Sequence, residues 1–181
     1  TDEDGDSLTI TDVTQGSYGA VTIVESGTKH VTAVTSGNSD GGYLSSDGRY
    51  VVFSSHSDSN AETIDGHIYR KDLATGLFEV VDSNSQGVLS TGDSQYAKGI
   101  SSDGRYVLFT LDEYGAVDLD GDSLPSGPGP LYRKDMDTGA IIRVDVPSDG
   151  VPVALGWGVD EATISANGNV VVFSHLSSSL M

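Results

Sequence analysis

Two aspartate-rich segments of this 181-residue chain carry the residues best suited to chemistry. In the first segment the carboxylates alternate around Gly121, and the candidate ligands are Asp118, Asp120 and Asp122. Carboxylates at alternate positions of a turning loop can converge hard oxygen ligands on Ca²⁺. The loop lacks the glutamate that an EF-hand loop carries at its twelfth position, where Gly129 stands. We predict a calcium site here, and a solvated acidic loop is the alternative.

The N-terminal segment shows the same spacing of carboxylates. Asp2, Asp4 and Asp6 alternate, with Glu3 between the first two. The pattern predicts a second calcium site on the same grounds. A solvated acidic segment is again the alternative.

Three further side chains are candidates for ligand binding. His56 and His175 each follow a Val-Val-Phe-Ser segment, so we expect them near similar ends of two strands, either contacting a metal or a sugar or capping the strand. Trp157 lies between two glycines, which leaves its ring accessible for stacking on a ligand. Packing in the core is the alternative for the tryptophan.

The sequence shows no recognisable catalytic pattern. Its 4 histidines are scattered without a nucleophile and base arrangement. It contains no Gly-x-Ser-x-Gly, no His-Glu-x-x-His and no glycine-rich phosphate loop. We therefore predict that these residues have no enzymatic activity.

The elements that would position these side chains come from a repeated sequence. Ser45–Phe53 reads Ser-Ser-Asp-Gly-Arg-Tyr-Val-Val-Phe, and it returns nearly unchanged at Ser101–Phe109 and in altered form at Ser165–Phe173. A second phrase, Ile68–Gly76, returns as Leu131–Gly139. Two phrases that recur in one order define a structural repeat.

Each phrase indicates β-structure. Asp-Gly favours a tight turn, and the continuous apolar run after it is typical of a strand covered on both faces. The Tyr-Arg-Lys-Asp phrase, a Thr-Gly turn and a second run ending in Val-Asp indicate a hairpin. We predict an antiparallel unit of about four strands. The arginines of the phrases are interpreted as partners of nearby aspartates between strands and blades, with ligand binding as the alternative, and they are Arg49, Arg70, Arg105 and Arg133.

Together the phrases resemble the TolB-like β-propeller repeat, which is related to WD repeats and occurs in secreted and periplasmic bacterial proteins. The resemblance covers residues from Gly42 onward and implies an all-β fold of antiparallel four-stranded blades. Two blades would be full and a third partial, at residues 42–100, 101–163 and 164–181. Propellers use about four to eight blades. We therefore expect either a piece of a longer polypeptide or open edges completed by other subunits.

Residues 1–41 resemble a different repeat. Their Asp-Gly-Asp-Ser-Leu-Thr-Ile segment, at Asp4–Ile10, is similar to bacterial cadherin-like or Ig-like tandem repeats. A complete sandwich of that class needs about 100 residues. We expect a partial module here, or strands added to the propeller sheet.

Composition restricts the cellular setting and the partners. With 27 acidic and 9 basic residues the net charge is −18, which disfavours nucleic acids and anionic membranes because their phosphates would be repelled. No apolar segment is long enough for membrane insertion, and the absence of cysteine excludes disulfides. We predict a secreted or cell-surface adhesion segment that binds a protein or polysaccharide, supported by calcium. The alternatives are a self-associating filament subunit closed by strand pairing between chains, and the propeller part of a larger secreted hydrolase or lyase.

Overall fold

A computed structural model describes residues 21–23, 29–31, 38–56, 66–90, 95–111, 119–121, 129–146 and 159–175. All regular secondary structure in these ranges is β-strand. None of them forms a helix that could cross a membrane. The strands are β1 (Val21–Ile23), β2 (Lys29–Val31), β3 (Asn38–Leu44), β4 (Tyr50–His56), β5 (His67–Asp72), β6 (Phe78–Val80), β7 (Gln95–Ile100), β8 (Tyr106–Leu111), β9 (Leu131–Asp135), β10 (Ile141–Arg143), β11 (Val159–Ile164) and β12 (Val171–His175).

The strands form two four-stranded antiparallel sheets and two smaller ones. The first sheet has the order β3-β4-β5-β6 and the second the order β7-β8-β9-β10, so each is a meander of consecutive strands. A third sheet, β11-β12, repeats the first half of this unit, and β1 pairs with β2 separately. The predicted all-β architecture of two full antiparallel units and a partial third is confirmed. The predicted unit boundaries stay a prediction, as does the Ig-like origin of the N-terminal strands.

The Ser-Ser-Asp-Gly turn before β4 is held by its first serine. Ser45 Oγ donates to Asp47 Oδ1 at 2.6 Å and accepts from the backbone N–H of Tyr50 at 2.8 Å. Short polar side chains that bond nearby backbone groups fix a turn in this way. The same pair of bonds recurs in the turns that begin at Ser101 and Ser165.

The two repeated phrases lie side by side within each full sheet. In the first sheet Val52 of β4 is opposite Arg70 of β5, and in the second Leu108 of β8 is opposite Arg133 of β9. The register is the same in both sheets, so a residue of one sheet has a definite equivalent in the other.

The hydrophobic core lies between sheets. One cluster joins Val52 and Ile68 of the first sheet to Phe109 and Tyr132 of the second. A second cluster joins residues of the second sheet to residues of the third, and its members include Leu108, Leu131, Val144, Val159, Ile164, Val171 and Phe173. Val52 and Leu108 are equivalent, so the same strand positions build both junctions.

The third copy of the strand differs from the prediction that it is covered on both faces. Val170 and Val172 are 59% and 63% exposed, whereas Val52 and Leu108, the equivalents of Val172, are 0% exposed. In the two full sheets this position packs against the next sheet. Within the described residues no sheet follows β12, and the outer face of the third sheet is open.

Candidate functional site: the junctions between sheets

The junction between the first and second sheets is closed by an arginine. Arg70 Nη1 donates to the carbonyl oxygen of Gly104 at 2.6 Å, and its guanidinium carbon lies 4.5 Å from the centre of the Tyr50 ring. The same ring covers Gly104, because a Cβ built on that glycine would lie 2.1 Å from Tyr50 Cδ2. We call this arrangement the clasp: an arginine and a tyrosine of one sheet hold a turn glycine of the next.

A second clasp closes the junction with the third sheet. Arg133 Nη1 donates to the carbonyl oxygen of Gly168 at 2.6 Å, and the guanidinium carbon of Arg133 lies 4.7 Å from the centre of the Tyr106 ring. A Cβ on Gly168 would again lie 2.1 Å from the tyrosine Cδ2. Each clasp takes its tyrosine from the first repeated phrase, its arginine from the second, and its glycine from the following repeat.

A second pair of arginines links strands within each sheet. Arg49 Nη2 lies 2.9 Å from Asp72 Oδ2, and Arg105 bonds both carboxylate oxygens of Asp135, at 3.0 and 2.7 Å. These bonds hold the pKa of Asp72 and of Asp135 at about 2. The predicted pairing with aspartates is confirmed for Arg49 and Arg105. Both arginines are partly exposed, so solvent screens the pairs.

The clasp arginines have different partners from those predicted. Arg70 Nε donates to Glu79 Oε2 at 3.1 Å, a glutamate that lies directly opposite on β6. Opposite Arg133, the corresponding residue of β10 is Ile142, which is exposed. The prediction that Arg70 and Arg133 pair with aspartates is wrong, because both side chains cross the junction and donate to a backbone carbonyl of the next sheet. In the first clasp the Glu79 carboxylate orients the arginine. In the second clasp the same cross-strand position is occupied by Ile142, which has no carboxylate.

A buried lysine holds the first junction from the other side. Lys134 of the second sheet is buried, and its Nζ donates to the carbonyl oxygen of Ser83 at 2.6 Å and to the hydroxyl of the same residue at 2.9 Å. Burial lowers the pKa of Lys134 to about 8, against the opposing effect of the charges on Asp82 and Glu79. The first and second sheets therefore contact each other reciprocally.

The Val-Asp phrase places a buried carboxylate in each full sheet. In the first sheet Asp82 accepts from the backbone N–H of Ile68 at 3.0 Å, and its second oxygen lies 2.7 Å from His67 Nδ1. The Ser90 hydroxyl bonds that second oxygen as well. In a catalytic triad the histidine stands between serine and aspartate. Here the aspartate is the centre, and we interpret the group as structural.

In the second sheet the equivalent carboxylate has a different side-chain partner. Asp145 accepts from the backbone N–H of Leu131 at 3.1 Å and from Arg143 Nε at 3.0 Å. The position of His67 is taken by Pro130. Both sheets thus use a buried aspartate to fix the start of the third strand.

No family model and no curated protein matches the sequence. Among solved structures, the crystal structure of TolB from Acinetobacter baumannii is similar, with a TM-score of 0.53 and 22% identity over 86% of this chain. This chain has a TolB-like propeller fold. It spans 31% of the length of that TolB-like relative, and at this identity the similarity shows the fold alone. A candidate TolB from Agrobacterium tumefaciens is 19% identical over 82% of this chain and 57% of its own length, with a TM-score of 0.34.

The TolB-like sheets place some of the predicted ligand residues. Asp120 follows Leu119, a buried member of the first core cluster, and Gly121 has a positive φ of 80°. His56 and His175 are the last residues of β4 and β12. The described ranges contain no group of three His, Asp or Glu side chains that could hold a metal. Outside those ranges lie Asp2, Asp4, Asp6, Asp118, Asp122 and Trp157.

The sequence singles out the clasp arginines Arg70 and Arg133 but does not predict the contact between the clasp tyrosine and the clasp glycine of this TolB-like fold. The turn accounts for Gly104 and the strand for Tyr50, and neither requires the two residues to meet. One signal was present in the sequence. The first two copies of the phrase carry tyrosine and the third carries Val170, a change that marks the position as one that contacts a neighbouring repeat.

Proposed function

We propose that this chain is a non-enzymatic binding segment of a secreted or cell-surface protein, and that it holds a partner protein at the outer face of its third sheet. The observation that carries the proposal is the exposure of Val172 at a position where Val52 and Leu108 are buried. Val170, two residues earlier, is exposed as well, and contiguous exposed apolar patches rimmed by polar residues mark protein interaction sites. An open cavity of about 260 Å³ adjoins the valine, lined by Glu161, Ala162, Thr163, Val172, Phe173 and Ser174.

Among the described residues no strand pairs with the outer edge of β12, and this edge supplies the main-chain groups for such binding. In β4 the carbonyl of Ser55 accepts from Gly66 N on the side of β5, and alternation along the strand puts the polar groups of Val51 and Phe53 on that side too. A partner strand added at a sheet edge gains affinity from such groups. The equivalent groups of β12 belong to Val171 and Phe173.

Charge indicates the chemistry of the partner. Glu161 is exposed in the wall of the cavity, and the chain as a whole carries a net charge of −18. Complementary charge accelerates association and suppresses the wrong partners. The preferred occupant is therefore an extended protein segment with an apolar residue for Val172 and basic residues at its flanks.

A synthetic peptide of residues 129–146 tests this surface, because it spans the hairpin that follows β8 in the second sheet. We expect the fluorescein-labelled peptide to bind the full chain and to lose about tenfold in affinity with the Val172→Asp variant, which adds a charge to the apolar contact. Val88→Asp is the matched control, since Val88 is also exposed but lies in the loop after β6. Equal binding by all three proteins, or none, contradicts the proposal.

The same free edge favours a second candidate, a filament subunit in which β12 pairs with another copy. Light scattering over a range of protein concentrations separates the two candidates. Growth of large particles from the unmodified chain, abolished by Val172→Asp, would favour the filament. A monomer that binds the peptide favours the binding segment.

A further inference from the structure

The guanidinium of Arg133 has two edges, and the described residues use only one of them. Its Nη1 donates to the carbonyl oxygen of Gly168. Among the described residues, Nε and Nη2 of Arg133 have no hydrogen-bond partner. A guanidinium carries five N–H donors in a fixed plane, and three of the five belong to these two nitrogens. This edge is the one that fits a carboxylate side-on.

The first sheet shows what the corresponding edge binds. Arg70 is the equivalent of Arg133, and the Nη1 of each donates to the turn glycine of the next sheet. Nε and Nη2 of Arg70 both donate to Glu79 Oε2, at 3.1 and 2.5 Å. The two guanidinium groups are held alike, with the central carbon 4.5 and 4.7 Å from a tyrosine ring centre. The unused edge of Arg133 therefore faces the place that a carboxylate fills in the first sheet.

Solvent reaches this position in both sheets. The Glu79 side chain is 49% exposed, although the Arg70 side chain that it bonds is only 8% exposed. In the second sheet Ile142 stands opposite Arg133 and is 47% exposed. Arg133 is half-buried, whereas Arg70 is buried. A carboxylate from outside the described residues can therefore approach Arg133 without displacing a core side chain.

The acidic side chains that follow Arg133 on its strand and turn already have a cation. Asp135 bonds Arg105 through both carboxylate oxygens, and Asp137 lies 3.3 Å from Arg105 Nε. Neither forms an ion pair with Arg133 within the described ranges. Although the whole chain carries a net charge of −18, its more distant exposed charges are largely screened by salt, so the unpaired guanidinium favours an anionic group in contact with it.

We propose that Arg133 and Ile142 form a binding site for an acidic side chain of a partner protein. We call this pair the fork site. The carboxylate would accept from Nε and Nη2 of Arg133, as Glu79 does from Arg70, and an apolar neighbour of the acidic residue would contact Ile142. That apolar contact favours a polypeptide over an acidic sugar, whose ring presents hydroxyl groups. The fork site lies at β10, the end strand of the second sheet, and is separate from the partner surface at Val172.

A short capped peptide tests the fork site on the full chain. The probe is acetyl-Phe-Glu-Val-amide, which repeats Phe78–Val80 around the glutamate that Arg70 binds. Nitrogen-15 NMR follows the Nε–H signal of Arg133 during the titration. We expect saturable movement of this signal, and about tenfold weaker binding of acetyl-Phe-Gln-Val-amide, because a charged acceptor forms the stronger hydrogen bond.

Three variants keep the test specific. Ile142→Glu fills the fork site from within the chain and should weaken binding of the glutamate peptide by about tenfold or more. Ile142→Gln is the matched control, of the same size as the glutamate but uncharged, and should bind the peptide at least about fivefold better than Ile142→Glu does. Glu79→Ile makes the first junction resemble the second, so the Nε–H signal of Arg70 should then respond to the peptide as well.

Three results overturn the proposal. One is equal binding of the two peptides, or no movement of the Arg133 signal at millimolar peptide, because the carboxylate would then contribute nothing. Another is unchanged binding by a folded Ile142→Glu variant, because the peptide would then lie elsewhere. The third is loss of binding in Val172→Asp, which would place the tripeptide on the third sheet. With Val172→Asp expected to bind the tripeptide as the parent does, this proposal and the partner surface at Val172 can fail independently.

Discussion

The Tyr50 ring occupies the space that a Cβ on Gly104 would need, with Cδ2 only 2.1 Å from that position. The two residues belong to neighbouring sheets. Gly104 is therefore constrained twice, by the left-handed backbone of its turn and by the ring above it. Gly48 has the same left-handed backbone but no ring above it. Comparing the two glycines therefore separates the effect of the backbone from the effect of the ring.

Alanine at these two glycines should have unequal effects. Both substitutions should lose about 1–2 kcal/mol of unfolding free energy because a side chain disfavours the left-handed backbone. Gly104→Ala should lose about 1–3 kcal/mol more, since the new methyl group must displace the Tyr50 ring. Urea denaturation measures both values, and equal losses would mean that the ring yields without cost.

Glutamate at position 142 should stabilise the second junction. Ile142→Glu would place a carboxylate opposite Arg133 as Glu79 stands opposite Arg70. We expect a gain of about 0.2–1 kcal/mol, the usual range for a cross-strand charge pair. The gain should shrink in high salt, and Ile142→Gln serves as the uncharged control. A glutamine variant as stable as the glutamate variant would exclude the ion pair as the cause.

Acid should remove the contribution of the two aspartate pairs. The pKa of Asp72 and of Asp135 is about 2 in the folded protein, below the ordinary value of 3.8. The stabilisation is thus present above pH 3.8 and is lost as the pH falls towards 2. Melting curves of the parent and of an Asp72→Asn, Asp135→Asn variant should differ at pH 6 and converge near pH 2. A constant difference at all pH values would contradict this.

Lys134 should give a pH dependence of the same sign in the alkaline range. Its pKa is about 8 in the folded protein and 10.5 when solvated, so the unfolded chain binds more protons between these values. The free energy of unfolding should therefore rise from pH 8 to pH 10.5, by more in the parent than in Lys134→Met. Parallel urea titrations at the two pH values measure the difference. If the free energy of unfolding changed equally in the parent and in Lys134→Met between the two pH values, the buried amine would keep its ordinary pKa.

Calcium should raise the melting temperature if the Asp118–Asp122 loop binds it. Asp120 is the described carboxylate of that loop, and its neighbour Leu119 is buried in the core, so calcium bound by the loop would stabilise the second sheet as well. Asp120→Asn should abolish the shift in millimolar calcium, while Asp137→Asn, an exposed aspartate of the β9–β10 turn, should retain it. Calorimetric titration of the metal-free protein without heat would exclude the site.

The sequence alone was sufficient for the local elements of the fold. Asp-Gly turns and the apolar runs after them located β4 and β8, because both signals depend on neighbouring residues only. The Arg49–Asp72 pair followed from two phrases that run side by side in one sheet.

The contacts between sheets could not be predicted in the same way. Arg70 bonds the carboxylate of Glu79 and also the carbonyl of Gly104. The second contact depends on which face of the sheet meets the next one, and the sequence pattern leaves that undetermined. The exposure of Val172 could not be predicted for the same reason, because it too depends on whether another sheet covers that face. An apolar run shows that a strand can be covered on both faces, but the cover itself comes from residues distant in the sequence.

The buried aspartates show that the two repeats are not interchangeable one residue at a time. Asp82 has His67 as its partner, with Val80 at the place of Arg143, and Asp145 has Arg143. Exchanging either partner alone would deprive one buried carboxylate of its side-chain partner, a loss that commonly costs several kcal/mol. The two repeated units can therefore exchange these residues only in pairs, and a recombined blade will tolerate the histidine arrangement or the arginine arrangement only as a complete set.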